Sequence, residues 1–228
     1  MVLPIRDIQP RHSFPLVTIV IIVINFLCFF YELSLGQRLE GFLRASAFVP
    51  AEYFQPGGAV ADARSVLLSM FLHGGWMHLL GNMLYMWIFA DNVEDRMGRF
   101  RFVIFYLGCG WIATLAHGFL NTSSVVPSIG ASGAISGVLG AYLVLFPKSR
   151  VLTFIPLGFY MTLRELPALL VLGLWFVLQF FSGVADLGAR TEQSAGVAWW
   201  AHIGGFVAGM ILAKIFAKRQ EPRWSRPM

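Results

Sequence analysis

Residues 15–33 read PLVTIVIIVINFLCFFYEL, a run that carries no charge before Glu32. A helix needs about 20 mostly apolar residues to cross a bilayer, so this run predicts a membrane-spanning segment. Its apolar core is too long for the hydrophobic region of a secretory signal, and no small-x-small cleavage site follows it. We therefore interpret the run as an uncleaved membrane anchor.

The composition of the whole chain points to the same class of protein. Of the 228 residues, 57% are hydrophobic and only 13% are charged, and the mean hydropathy is +0.68. Soluble domains contain about 25% charged residues. The sequence therefore predicts an all-α polytopic membrane protein with six transmembrane helices. The six predicted spans are Phe14–Leu33, Trp76–Asp91, Arg101–Leu120, Ile129–Pro147, Leu166–Gly183 and Val197–Ala217.

The basic residues between these spans predict their orientation. If the N-terminus is cytoplasmic, most of the 17 Lys and Arg residues fall in cytoplasmic segments, as the positive-inside rule requires. The prediction is a cytoplasmic N-terminal tail (1–13), a membrane domain (14–217) with an outer loop at about 36–72, and a basic cytoplasmic C-terminal tail (218–228). The net charge of +5 then favours contact with the lipid bilayer and gives no role to nucleic acid.

Polar residues inside three of the spans carry the functional signal, because each is costly in hydrocarbon and requires a partner. His78 and Asn82 are four residues apart and share one face of the second span. Ser132 lies near the start of the fourth span, and His202 near the start of the sixth. In the predicted orientation these spans all begin at the outer face, so the four side chains are expected at one depth.

Small residues in the fourth and sixth spans predict a close approach of these two helices. Side chains this small let helix backbones touch inside a membrane. The approach would bring the Ser132 hydroxyl within hydrogen-bond reach of His202. The small residues are Gly130, Gly133 and Gly137 in the fourth span and Gly205 and Gly209 in the sixth.

A serine beside a histidine is a nucleophile with its general base. The sequence offers no carboxylate near His202, because Asp186 and Glu192 are predicted in the preceding loop, so we interpret Ser132 and His202 as a catalytic dyad. His78, the Asn82 amide and the backbone N–H of Ser132 are candidate donors to an oxyanion. Two structural alternatives stay open: that Ser132 bonds only to its own helix, and that His78 and Asn82 only bond across helices.

The sequence lacks the features that other membrane proteases and transporters require. A zinc protease requires H-E-x-x-H, whereas His73 and His78 are five residues apart without that glutamate, so no metal site is expected. An aspartyl protease inside the membrane requires two aspartates within spans, which this sequence does not have. A transporter would show two related halves with interrupted helices, and no such repeat is visible.

Three ordered motifs resemble those of the rhomboid intramembrane serine proteases, over essentially the whole chain. They are G-x-S-G at Gly130–Gly133, H-x-x-x-x-H-x-x-x-N from His73 to Asn82, and A-H-x-x-G-x-x-x-G at Ala201–Gly209, together with VEDRMGRFRFVIFYL at 93–107. The chain departs from the family at Ser136, where many relatives have a tyrosine that packs on the histidine. The Trp-Arg pair often found in the first outer loop is also missing, because Ala63 precedes Arg64.

The resemblance implies an endopeptidase that cleaves the transmembrane segments of single-span or multi-span membrane proteins, without a cofactor. Ser132 and His202 would be catalytic, and His78 and Asn82 would serve the oxyanion. A catalytically silent, client-binding membrane factor is the alternative function. We expect an integral membrane protein of a bacterial inner membrane, with the site open to the outer face.

Overall fold

The computed structural model describes residues 3–55, 63–157, 160–189 and 198–218. The predicted basic tail beyond residue 218 and the predicted loop residue Glu192 lie outside these ranges, whereas Asp186 belongs to a helix rather than a loop. The helices are α1 (Leu16–Ser34), a 3-10 helix (Gly36–Arg38), α2 (Leu39–Ser46), α3 (Pro50–Tyr53), α4 (Ala63–Ser69), α5 (Trp76–Met97), α6 (Arg99–Leu120), α7 (Ser132–Leu145), α8 (Ala168–Ala189) and α9 (Trp199–Phe216). The strands are β1 (Leu3–Asp7), β2 (Arg150–Leu157) and β3 (Tyr160–Pro167).

Each of the six predicted spans coincides with one helix, and four of these helices are long and apolar enough to cross a membrane. These four are α1, α6, α8 over Ala168–Ala185, and α9. The other two differ for a physical reason: α7 has only 14 residues, and the last turns of α5 carry charged side chains. The chain is therefore a mostly helical membrane protein, while the number of six crossings stays a prediction.

A three-stranded antiparallel sheet corrects the prediction of an all-α chain. β2 lies in the middle and pairs with β1 on one side and β3 on the other. Residues 3–7 of the predicted N-terminal tail are therefore part of this sheet. Leu166, the predicted start of the fifth span, pairs with Val151 inside it, and the helix begins only at Ala168. Val151 and Thr153 are fully buried, so one face of the sheet covers the helices.

The end of α5 joins several segments at one end of the bundle. The buried Glu94 carboxylate accepts hydrogen bonds from the backbone N–H groups of Val17 and Thr18 and so caps α1, which has no side-chain cap of its own. Gly98 alone separates α5 from α6. Its φ of 82° is one that residues other than glycine rarely adopt. At the same end, the Lys218 backbone N–H donates to the Arg96 carbonyl.

Helix α7 is the centre of the bundle, because all residues from Gly133 to Tyr142 are buried. It packs most extensively against α9 and also contacts α5 and α6. α8 lies at the outside and presents large apolar side chains such as Leu170, Leu174 and Phe181 to the surroundings. The N-terminal ends of α5, α7 and α9 share one end of the bundle, and the sheet lies at the other.

Candidate active site

A hydrogen bond joins the first residue of α7 to the first turn of α9. His202 Nε2 lies 2.8 Å from Ser132 Oγ, and both side chains are partly buried. Ser132 stands at the N-terminus of α7, where free backbone N–H groups and the helix dipole favour negative charge. The arrangement is that of a hydroxyl nucleophile next to a base, at a position suited to an oxyanion.

Three side chains surround the His202 ring. Its Nδ1 lies 2.6 Å from the Gln179 side-chain oxygen on α8. The Trp175 ring lies 5.8 Å away in a tilted orientation, and the Trp199 ring lies 6.3 Å away, edge to face. Ser136, which stands where relatives have a tyrosine, instead donates to the Ser132 carbonyl at 2.6 Å. Apart from the hydrogen bond to Ser132, the ring is therefore held from α8 and from its own helix, and not by Ser136 of α7.

The glycines of α7 and α9 lie where the two backbones touch. A Cβ on Gly205 would overlap with the Gly133 carbonyl, and a Cβ on Gly209 would overlap with the Gly137 carbonyl. A Cβ on Gly137 would in turn lie 2.5 Å from Cys109 Cβ on α6. Interior backbones pack this closely only without side chains between them. This contact sets the separation at which Ser132 and His202 meet.

His78 lies against the segment that precedes Ser132. A Cβ on Gly130 would fall 2.7 Å from both Cε1 and Nε2 of the His78 ring, so the imidazole packs directly on this backbone. Gly130 has a φ of 125°, a conformation that β-carbon residues rarely adopt, and its N–H donates to the Ser69 carbonyl at 2.8 Å. The bend at Gly130 therefore gives space to the His78 ring beside the start of α7.

Asn82 is held by His73 rather than standing free. Asn82 Nδ2 lies 3.1 Å from His73 Nε2, and His73 Nδ1 lies 3.3 Å from the Phe71 carbonyl. Since a carbonyl only accepts, Nδ1 carries the proton and Nε2 accepts from the Asn82 amide. Burial, with a smaller effect of the nearby His78, lowers the pKa of His73 to about 4, so the ring is neutral. The His73 backbone N–H donates to Glu32 on α1 at 3.2 Å.

A small cavity of about 10 Å³ adjoins Ser132. This volume is about what one water molecule requires. Its walls consist mostly of small side chains and backbone, together with Met70 and Ile129, and a bulky group cannot enter this volume without displacing them. The lining includes Ser69, Thr114, Ser128, Gly130, Ser132, Ala198 and Ala201.

The structure brings His78, Ser132 and His202 to one end of the bundle, and it adds Gln179, Trp175 and His73 to the neighbourhood. The sequence analysis missed Gln179 as part of the site. A signal for it exists, because an amide inside the apolar stretch LWFVLQFF is costly in hydrocarbon and requires a partner. Among the described residues, no group of three His, Cys, Asp or Glu side chains is arranged to hold a metal ion.

Comparison with known proteins gives a consistent set of relatives. A family model for the rhomboid domain matches residues 61–219. The presenilin-associated rhomboid-like protein, mitochondrial, of Bos taurus is 32% identical over 177 residues, which cover 69% of this chain and 47% of the relative. Rhomboid protein 1, mitochondrial, of Saccharomyces cerevisiae is 30% identical over 178 residues, 73% of this chain and 46% of the relative. RHOMBOID-like protein 5 of Arabidopsis thaliana is 29% identical over 158 residues, 69% of this chain and 45% of the relative.

The chain spans less than half the length of these relatives. Two of the three are named as mitochondrial proteins. The similarity to rhomboid proteins supports an integral membrane protein. Because two of these relatives are mitochondrial, the comparison gives no support to the predicted bacterial inner membrane.

Proposed function

The chain belongs to the rhomboid family, and on that premise we propose that it is an intramembrane serine endopeptidase with Ser132 as nucleophile and His202 as general base. The observation that carries the proposal is the 2.8 Å contact between Ser132 Oγ and His202 Nε2. This distance suits proton transfer between the two atoms.

In the proposed acylation, Ser132 Oγ attacks the carbonyl carbon of the scissile peptide bond and its proton passes to His202 Nε2. The carbonyl oxygen becomes an oxyanion, which the backbone N–H of Ser132, the His78 imidazole and the second N–H of the Asn82 amide would stabilise. His202 then gives the proton to the leaving nitrogen. The C–N bond breaks, the amine product leaves, and an ester to Ser132 remains.

Deacylation requires one water molecule near the ester. The cavity beside Ser132 has about the volume of one water, which supports this step. His202 would take a proton from that water as the oxygen attacks the ester carbon, and would return it to Ser132 Oγ as the acid product leaves. The small volume of the cavity also favours small side chains in the substrate next to the scissile bond.

We place the substrates among single-span and multi-span membrane proteins, because the proposed site lies at the ends of apolar helices. The six helices α1 and α5–α9 would all cross the bilayer, with the dyad below the outer face and both termini in the cytoplasm. Two features support this arrangement. The sheet, the end of α5 and Lys218 share one end of the bundle, and the predicted excess of Lys and Arg falls on that same end.

The test is cleavage of a model single-span substrate by the purified, reconstituted protein and by Ser132→Ala and His202→Ala. We expect the parent to cut and both variants to lose at least about 10⁴-fold in kcat, the lower end of the loss that accompanies removal of a triad residue. Circular dichroism and size-exclusion chromatography control for folding.

Labelling of Ser132 by a fluorophosphonate gives a second measurement that does not depend on the choice of substrate. Labelling of the parent but not of His202→Ala would support the dyad even without cleavage. Neither cleavage nor labelling in a folded parent would contradict the proposal and favour the client-binding alternative.

A further inference from the structure

His202, the base of the dyad, has a hydrogen-bond partner besides Ser132, and this partner lies on a different helix from either dyad residue. Gln179 of α8 places its side-chain oxygen 2.6 Å from His202 Nδ1, on the side of the ring opposite the Ser132 contact. We infer that Gln179 is the positioning residue of His202, and that the site is a neutral Ser132–His202–Gln179 triad. The inference rests on the proposed function of Ser132 and His202.

The geometry selects one tautomer of His202. An amide oxygen only accepts, so the proton of the neutral ring must lie on Nδ1, where it is donated to Gln179. Nε2 is then unprotonated and can accept the Ser132 hydroxyl proton. The other tautomer would place a proton on Nε2 and leave no base facing Ser132. In serine proteases with a carboxylate triad, the third residue fixes the tautomer in the same way.

An amide suits this location better than a carboxylate. Gln179 lies in α8, among side chains such as Phe176 and Phe180, where a charge would be expensive. The described residues place no carboxylate in hydrogen-bond contact with His202. A neutral acceptor keeps the tautomer without the desolvation cost of a buried anion, although it stabilises the transient imidazolium less than a charge would.

Gln179 does not act alone on the ring. Trp175 lies four residues before Gln179 on the same face of α8. The centroid of its ring lies 5.8 Å from the centroid of the His202 ring. Together they hold the ring in position and in orientation, which is the support that Ser136 does not supply from α7. α8 therefore contributes a hydrogen-bond acceptor and an aromatic surface to a base that belongs to α9.

The experiment measures the tautomer directly, in protein carrying ¹⁵N-labelled histidine. The spectra of the parent, Gln179→Leu and Gln179→Glu are compared, with His202 assigned from its loss in His202→Ala. Leu178→Ala is the matched control, because Leu178 directly precedes Gln179 on the helix and its side chain is 57% exposed. We expect the Nδ1–H tautomer in the parent, in Leu178→Ala and in Gln179→Glu, and a mixture of tautomers in Gln179→Leu.

The same four proteins are compared in cleavage. Gln179→Leu should lower kcat by roughly 10²-fold with KM unchanged, since the residue acts on the base and not on substrate binding. Gln179→Glu should keep most of the activity because its carboxyl group, ionised or protonated, still has an oxygen that accepts the same N–H. An Nε2–H tautomer in the parent would overturn the inference, and so would a folded Gln179→Leu with the kcat of the parent.

The two readouts separate this inference from the proposed function. If the folded parent neither cleaves the substrate nor is labelled by the fluorophosphonate, but Gln179→Leu loses the Nδ1–H tautomer, the positioning role stands and the protease proposal fails. If the parent cleaves through Ser132 and Gln179→Leu keeps both tautomer and kcat, the positioning role fails alone. If Gln179→Leu does not fold, the parent tautomer and Gln179→Glu decide, since an Nε2–H tautomer in either contradicts the inference.

Discussion

At the scale of single residues, the side chains proposed to bind the oxyanion differ in how they are held. The Asn82 amide donates to His73, which is itself fixed by the Phe71 carbonyl and by Glu32. His78 rests on the Gly130 backbone, and within the described part of the chain its ring receives a long hydrogen bond of 3.4 Å from the Gly74 N–H. Asn82 is thus the better anchored donor, and its orientation depends on a neutral His73.

We expect Asn82→Ala to lower kcat by roughly 10²-fold, the loss typical of one oxyanion donor. His73→Phe keeps a ring but cannot accept the Asn82 N–H, so it should lower kcat by a smaller factor. Single-turnover cleavage kinetics measure both effects. The double variant is the control: if His73 acts through Asn82, adding His73→Phe to Asn82→Ala should change kcat little. Additive losses would show that His73 acts independently.

At the scale of helices, the contact between α7 and α9 has no room for an added methyl group at Gly209. A Cβ there would overlap with the backbone of Gly137, which cannot move without displacing the buried α7. Gly173 on α8 offers the opposite case, since a Cβ there would meet nothing within 4 Å. The same substitution therefore tests close packing at one position and not at the other.

We expect Gly209→Ala to lower the free energy of unfolding by about 1–3 kcal/mol or more, as overpacking of a tight core does. Gly173→Ala should cause no loss. Thermal unfolding in detergent, followed by circular dichroism, compares the two variants. Equal melting temperatures would contradict the account of the α7–α9 contact given above.

The elements also show what a single sequence can predict. Ser132 and His202 were recognisable because polar residues inside apolar spans are rare and costly. Gln179 carries the same signal, but nothing in its sequence neighbourhood names a partner, because His202 lies 23 residues away on another helix. The pairing of β1 with β2 was missed for a similar reason. β1 and β2 are neighbours in the sheet but far apart in the sequence, as in the pair of Leu3 with Phe154. No local sequence pattern specifies such a distant partner.

At the scale of the whole molecule, one half-buried carboxylate joins the sheet to the helices. Asp7 of β1 accepts hydrogen bonds from Asn92 at 2.7 Å and from the Tyr142 hydroxyl at 2.8 Å. Burial, with a smaller effect of Asp91, raises the pKa of Asp7 to about 6, because the hydrogen bonds and Arg6 only partly oppose these effects. A raised pKa means that the folded state binds the proton more tightly than the unfolded state does.

The contribution of Asp7 to stability should therefore be complete below about pH 4 and should be lost as the pH rises through about 6. We expect the protection factors of β1 amides in hydrogen exchange to fall between pH 4 and pH 7, after correction for intrinsic rates. Asp7→Asn keeps an acceptor without the charge and should make the protection independent of pH. Protection in the parent that stays flat or rises over this range would count against the role of Asp7.

The contacts of β1 and Lys218 with the end of α5 have a consequence for the design of fusion proteins. β1 and Lys218 meet the bundle near Asn92 and Arg96, whereas His78 lies near the opposite end of α5. A helix of 22 residues is about 33 Å long, roughly the depth of the hydrocarbon layer. In the proposed arrangement, a domain or fluorescent label fused next to β1 or Lys218 would therefore lie across the bilayer from the proposed catalytic pair. Such fusions can report on abundance and location without obstructing the mouth of the site.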